Sequence, residues 1–202
     1  MLGKHFSVSI AAALAGALLA HTSVGADIRA SRQDADLLKQ KVATIQLGAK
    51  ATGQPRRTTL TQNEVNSYFA LDAHNDLPVG VVEPSVTILG TGRLSGRAVV
   101  DLDAVRKFKN PTSLLDPATY LIGRLPVTAI GVLKTSNGVG RFQFESATVG
   151  GIPLPKTLLQ EIVSYYSRTP GAPAGVNLDD PFALPARIRE IQVERGQAII
   201  IQ

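Results

Sequence analysis

The 202-residue chain contains no cysteine, no tryptophan and a single methionine, the initiator. Without cysteine there is no disulfide framework, no thiol nucleophile, no thiolate metal site and no lipidated cysteine behind a leader. Histidine is almost as scarce: His5, His21 and His74 are the three. A Ser-His-Asp arrangement in the body of the chain therefore depends on His74 alone, and no serine sits in a G-x-S-x-G elbow. The charge excess is modest, +5 over the whole chain. It is too small and too dispersed for a nucleic-acid-binding surface, but it suits attraction to an anionic membrane surface.

The first residues have the form of an export leader. Lys4 and His5 precede an apolar run from Ile10 to Ala20, and Val24-Gly25-Ala26 has the small-x-small pattern of a cleavage site. The run is shorter than the ~20 residues that span a bilayer. We therefore expect a cleaved signal peptide over residues 1–26, a single domain over 27–202, and a periplasmic or secreted location. No internal repeat or low-complexity segment is evident.

Periodicity then divides the chain. Ser31-x-x-Asp34 opens a helix in which Ala35, Leu38, Val42, Ile45 and Ala49 recur at helical spacing. Thr61 and Glu64 have the spacing of a capping box, and Leu60 with Val65 that of a hydrophobic staple, so a second helix starts there. From Val81 to Leu102 the period becomes two, and Gly90-Thr91-Gly92 reads as the turn of a hairpin. A short basic helix over Asp103–Lys109 and a proline-started one over Pro111–Leu121 are expected next. A second hairpin spans Leu125–Val149 around Ser136-Asn137-Gly138. On its return strand Phe142 and Phe144 share one parity and Ala147 and Val149 the other, so a bulge or twist between them is expected to restore the inward face.

The C-terminal stretch from Gly150 holds an amphipathic helix, Pro155–Arg168, with Leu158, Leu159, Ile162, Val163 and Tyr166 on one face. The Pro/Gly-rich segment Thr169–Pro181 is expected to be the most mobile, and the chain closes as a hairpin over Ile188–Gln202 around Gly196. The strands run to about ten residues or ~34 Å. Such a sheet, apolar on one face, needs a long cover, and one helix of ~21 Å reaches only part of it.

Few residues point to chemistry. Asp72-Ala73-His74-Asn75-Asp76 offers oxygen and nitrogen ligands, yet polar residues directly after a helix serve first to cap and turn the chain. Gly90-Thr91-Gly92 and Gly96 lead into a strand, not the helix a phosphate loop must open. Asp101, Asp103 and Asp179-Asp180 read as caps and loop solvation. No catalytic residue, metal or cofactor is assigned.

Leu60-Thr61-Gln62-Asn63-Glu64-Val65-Asn66-Ser67-Tyr68 resembles the LT-x-x-E-[LV]-N-x-Y opening helix of the LmeA-like phospholipid-binding proteins. The Gly92–Val105 strand ending in Asp101-Leu102-Asp103, and the closing Leu184–Val193 segment, are similar as well. Pro155-Lys156 and the Thr169–Pro181 loop have no place in that pattern. The resemblance implies an α+β fold of the tubular lipid-binding kind, a long curved antiparallel sheet wrapped around or packed on amphipathic helices. It also implies a phospholipid or other acyl-chain ligand.

The expected apolar lining is Val86, Ile88, Val100, Phe142, Phe144, Leu159, Ile162, Val163 and Tyr166. Arg106, Lys107 and Lys109 are the expected contacts to an anionic headgroup. The competing reading is a non-enzymatic structural or adaptor protein of the cell envelope, with the same sheet filled by its own side chains. A hydrolase built on His74 is the third.

Overall fold

The computed structural model describes residues 30–48, 55–109, 122–168 and 171–202. The expected leader over 1–26 and the expected helix over Pro111–Leu121 lie outside the described residues, as do Ala49 and the side chains of Lys109 and Tyr166. No described helix is long and apolar enough to cross a membrane.

Helix α1 (Arg32–Gly48) starts where the Ser31 hydroxyl accepts from the Asp34 amide, and it buries Ala35, Leu38 and Ile45. Strand β1 (Arg57–Thr61) runs straight into α2 (Gln62–Leu71). The capping box is present there: Thr61 Oγ1 accepts from the Glu64 amide at 3.2 Å, and Glu64 Oε2 accepts from the Thr61 amide at 3.0 Å. A 3₁₀ turn follows over Ala73–Asn75.

The main sheet is antiparallel. Strands β2 (Val81–Gly90), β3 (Arg93–Asp101), β4 (Arg124–Ser136), β5 (Val139–Val149) and β6 (Ile152–Pro153) lie in that order, with β7 (Phe182–Ala183) also on β5. The long strands have 10, 9, 13 and 11 residues. Both hairpins close on two residues with positive φ, Thr91 (54°) with Gly92 (79°) and Asn137 (50°) with Gly138 (80°). This matches the right-handed twist of the strands they join.

The expected bulge is also there. Ile130 faces Ser146 but Gly131 faces Phe144, so Glu145 is the extra residue. The slip returns Ala147 and Val149 to the face already occupied by Phe142 and Phe144. Ala129 and Ile130 are both buried, so β4 is covered on two sides. The second cover is partly an ion pair: Arg93 on β3 reaches Glu145 on β5 at 2.8 Å, which carries it across β4.

Helix α3 (Leu102–Lys109) joins β3 toward β4, and α4 (Lys156–Ser167) follows β6. Strands β8 (Glu190–Glu194) and β9 (Gln197–Ile201) form the expected closing hairpin and pair with β1 as a second, three-stranded sheet. This small sheet closes the end of the main sheet at which the two hairpins turn. Gly92 donates to Val193 O (3.2 Å), Thr135 Oγ1 exchanges bonds with both backbone groups of Ile191, and Gly138 donates to Arg189 O (2.9 Å). Ile88, Leu94, Leu133 and Val193 make the apolar core of that junction.

The β2 edge is closed by side chains. Asn66 on α2 donates to Val86 O at 2.8 Å and accepts from Val86 N at 2.7 Å, reproducing the pair of bonds that a neighbouring strand would make. Gln62 accepts from Ile88 N at 2.8 Å, while Gly196 N donates to Ile88 O. Pro84 has no N–H to offer. With these partners in place, β2 presents little template for another strand.

Candidate functional site

The candidate site lies where α4 meets the main sheet at β5. Pro155 stands just outside the helix as its cap (φ −57°, ψ 142°), so α4 proper has 12 residues, or ~18 Å. It rests on β5 through Leu159, joined by Leu154 from the preceding turn. Both join a cluster that includes Ala147 and Phe144 on β5 and Ala129 and Ile130 on β4. Leu154 N also donates to Ala147 O at 2.6 Å, anchoring the chain as it enters the helix.

Among the described side chains, only part of the apolar side of α4 is used in this way. Leu159 and Val163 are half-buried, but Leu158, Ile162 and Tyr165 remain 44, 39 and 49% exposed. The spacing 158, 162, 165 is a helical stripe next to the seated one. Tyr165 carries the Arg168 guanidinium over its ring at 5.7 Å.

The opposite side of α4 holds residues 171–181 of the segment expected to be mobile, and ties them by hydrogen bonds. Gln160 accepts from Leu178 N (2.7 Å) and donates to Val176 O (3.0 Å); Ser164 also donates to Val176 O, and Ser167 accepts from Val176 N (2.6 Å). Lys156 pairs with Asp179. Gln160 and Ser164, which the sequence places on a polar face, hold a loop.

Pairing across the strands puts Val86, Ile88, Val100, Phe142 and Phe144 on one face of the main sheet. They do not form one patch. Val86 belongs to the core beneath α1 and α2. Ile88 and Phe142 pack at the closed end, and the Phe142 ring lies directly on Gly131. Phe144 alone of the five belongs to the same cluster as Leu159. Val100 is half-buried near the other end, opposite Leu125. Ile162 sits on the exposed stripe.

One feature the sequence reading missed is a row of small residues across that face. Gly96, Ala129 and Ala147 pair in register, with Ala98 beside them. The signal was present, as small residues at inward positions of otherwise bulky strands.

The remaining polar candidates are engaged in local structure. Arg106 pairs with Asp103 at 2.9 Å, whereas Lys107 is exposed. Asp101 caps α3 by accepting from Ala104 N (2.9 Å), and that bond, with Arg124 nearby, holds its carboxyl below the ordinary range. Asp72 lies between Lys39 and Arg32, which lower its pKa by hydrogen bonding and charge. Asp76 accepts from the Tyr68 hydroxyl at 2.7 Å; burial first and that bond second push the phenol's pKa up. Among the described residues no cluster of three His, Asp or Glu side chains is placed to hold a metal ion.

Neither of two open clefts lined by described residues includes a residue of α4. One of about 650 Å³ lies between the β2–β3 and β8–β9 turns, with Arg93 and Arg195 on its wall. The other, about 510 Å³, has His74, Asn66, Glu83 and Ser85 on its wall, where β2 bulges and Glu83 takes a φ of 52°. Comparison with known proteins finds no matching family model, no matching curated protein and no matching solved structure.

Proposed function

We propose that this is an exported lipid-binding or lipid-transfer protein that holds an acyl chain between α4 and the apolar face of the main sheet. The observation that carries the reading is the partial seating of α4. The helix is held from its polar side by the 171–181 loop and touches the sheet through Leu154 and Leu159, so its apolar side is only half used. Next to it the small residues Gly96, Ala98, Ala129 and Ala147 allow close approach to the sheet. Binding is non-covalent: each methylene removed from water contributes about 0.8 kcal/mol. Phe144, Leu159, Ile162 and Val163 are the lining residues nearest that seam, and Lys107 is an exposed cation of the expected headgroup cluster. The resemblance of the Leu60–Tyr68 segment to LmeA-like proteins, and a curved, tubular arrangement of sheet and helices, belong to this reading.

A second reading, a solid-core scaffold of the cell envelope, draws on the Phe142 ring filling the space over Gly131. Extraction of the natively purified protein and mass spectrometry of the extract separate the two. Near-stoichiometric phospholipid is expected, along with uptake of a fluorescent fatty acid that falls in Leu159→Trp. A lipid-free protein that takes up no acyl chain is a scaffold, and the lipid reading then fails.

A further inference from the structure

We propose that the end of the main sheet opposite the small sheet docks on an anionic phospholipid bilayer, led by Phe108 and Ile152. The inference rests on the acyl-chain reading above and adds the surface from which the lipid is exchanged.

Five large apolar side chains gather at this end. Phe108, Ile122 and Ile152 are 71, 66 and 72% exposed, and Val79 and Leu125 are 48 and 36% exposed. The backbone brings them together. Val79 leads into β2, where Gly80 O accepts from Asp101 N; Ile122 precedes Gly123, whose carbonyl accepts from Leu102 N at the start of α3. Leu125 faces Val100 across the strands, and Ile152 faces Val149.

Cations are interleaved with these side chains. Phe108 lies between Lys107 and Lys109 in the sequence, Arg106 is on the same helix, and Arg124 begins β4. Asp101 and Asp103 engage Arg124 and Arg106, while Lys107 makes no ion pair among the described residues. That mixture selects the partner. The core of a protein–protein interface is depleted in lysine, whereas at a bilayer surface lysine stems lie along the apolar layer with their ammonium groups among the phosphates. The other end of the sheet is closed by β8 and β9, so a lipid passing along α4 has this end as its exit.

The chain has no tryptophan, so Phe108→Trp installs a single reporter without removing the aromatic side chain. Its emission is expected to shift to the blue on phosphatidylglycerol/phosphatidylethanolamine vesicles and to stay in place on phosphatidylcholine vesicles. Leu47→Trp, at the end of α1 beside the small sheet, is expected to stay in place on both. In flotation, Phe108→Ser/Ile152→Ser is expected to cut the vesicle-bound fraction at least about tenfold, since losing two inserted side chains weakens the affinity by more than that. Fluorescent fatty-acid uptake without vesicles is expected to be unchanged in that variant.

An unshifted Phe108→Trp, or equal flotation of wild type and double variant, overturns the docking inference. So does a lipid-free dimer that the double variant converts to monomer, which would make a second copy the occupant. Intact uptake with failed docking leaves the acyl-chain reading standing; failed uptake in the wild type removes that reading and this inference with it.

Discussion

Replacing Asn66 with alanine tests how the β2 edge is held. Asn66 is buried, and its amide makes two hydrogen bonds to the backbone of Val86, which is also buried. Alanine leaves one N–H and one C=O of β2 without partners in a place that water reaches poorly. An orphaned buried backbone group costs about 1–3 kcal/mol. Water entering the small space vacated by the side chain offsets some of this, so we expect a loss of about 2–4 kcal/mol. For a domain of this size that corresponds to a fall in Tm of roughly 5–15 °C. Asn66→Asp should be at least as damaging. It keeps an acceptor for Val86 N but turns a carboxylate oxygen toward Val86 O. Urea unfolding followed by far-UV circular dichroism measures the change, with an unchanged m-value as the sign that the unfolded state is the same. The exposed edge should also make Asn66→Ala more prone to aggregate. A stability loss below about 0.5 kcal/mol would refute the idea that this amide stands in for a strand.

Three further outcomes are expected. Lys41→Ala leaves the buried Glu64 carboxylate without its cation, which sits at 2.6 Å, and should cost about 1–3 kcal/mol in urea unfolding; Lys41→Met/Glu64→Gln should recover much of it. Lys39 and Arg32 depress the pKa of Asp72, so its contribution is present above the unfolded value of about 3.9 and is lost as pH falls through the lower folded value; Asp72→Asn should flatten stability in that acid window, and a curve parallel to wild type counts against the pairing. Gly131→Ala puts a methyl group into the Phe142 ring and should destabilise by about 1–3 kcal/mol, with Gly131→Ala/Phe142→Leu restoring part of the loss.

Much of the local structure was legible because it depends on near neighbours. Thr61 and Glu64 three residues apart can close a capping box with no help from the rest of the chain. Asn137-Gly138 and Thr91-Gly92 specify tight turns because those residues tolerate positive φ. The slip in parity between Phe144 and Ala147 could be read as a bulge or twist, and the extra residue Glu145 returns both sets to one face. By itself, then, the sequence determined the described helices, the two long hairpins and the closing one, and hence the α+β class.

The tertiary structure decided what those elements do to one another. That β8 and β9 pair with β1 and close the hairpin end depends on contacts over 50 residues apart, such as Thr135 with Ile191. Nothing local in Asn66 says that it caps a strand 20 residues on. The 171–181 segment reads as loose because it lacks apolar periodicity. It is tethered because Gln160, Ser164 and Ser167 on α4 satisfy its backbone groups. The half-seated α4 has the same origin. Periodicity gives the width of an apolar face, whereas its division between the sheet and the exposed stripe is settled by where Leu154 and Leu159 meet Ala129 and Ala147.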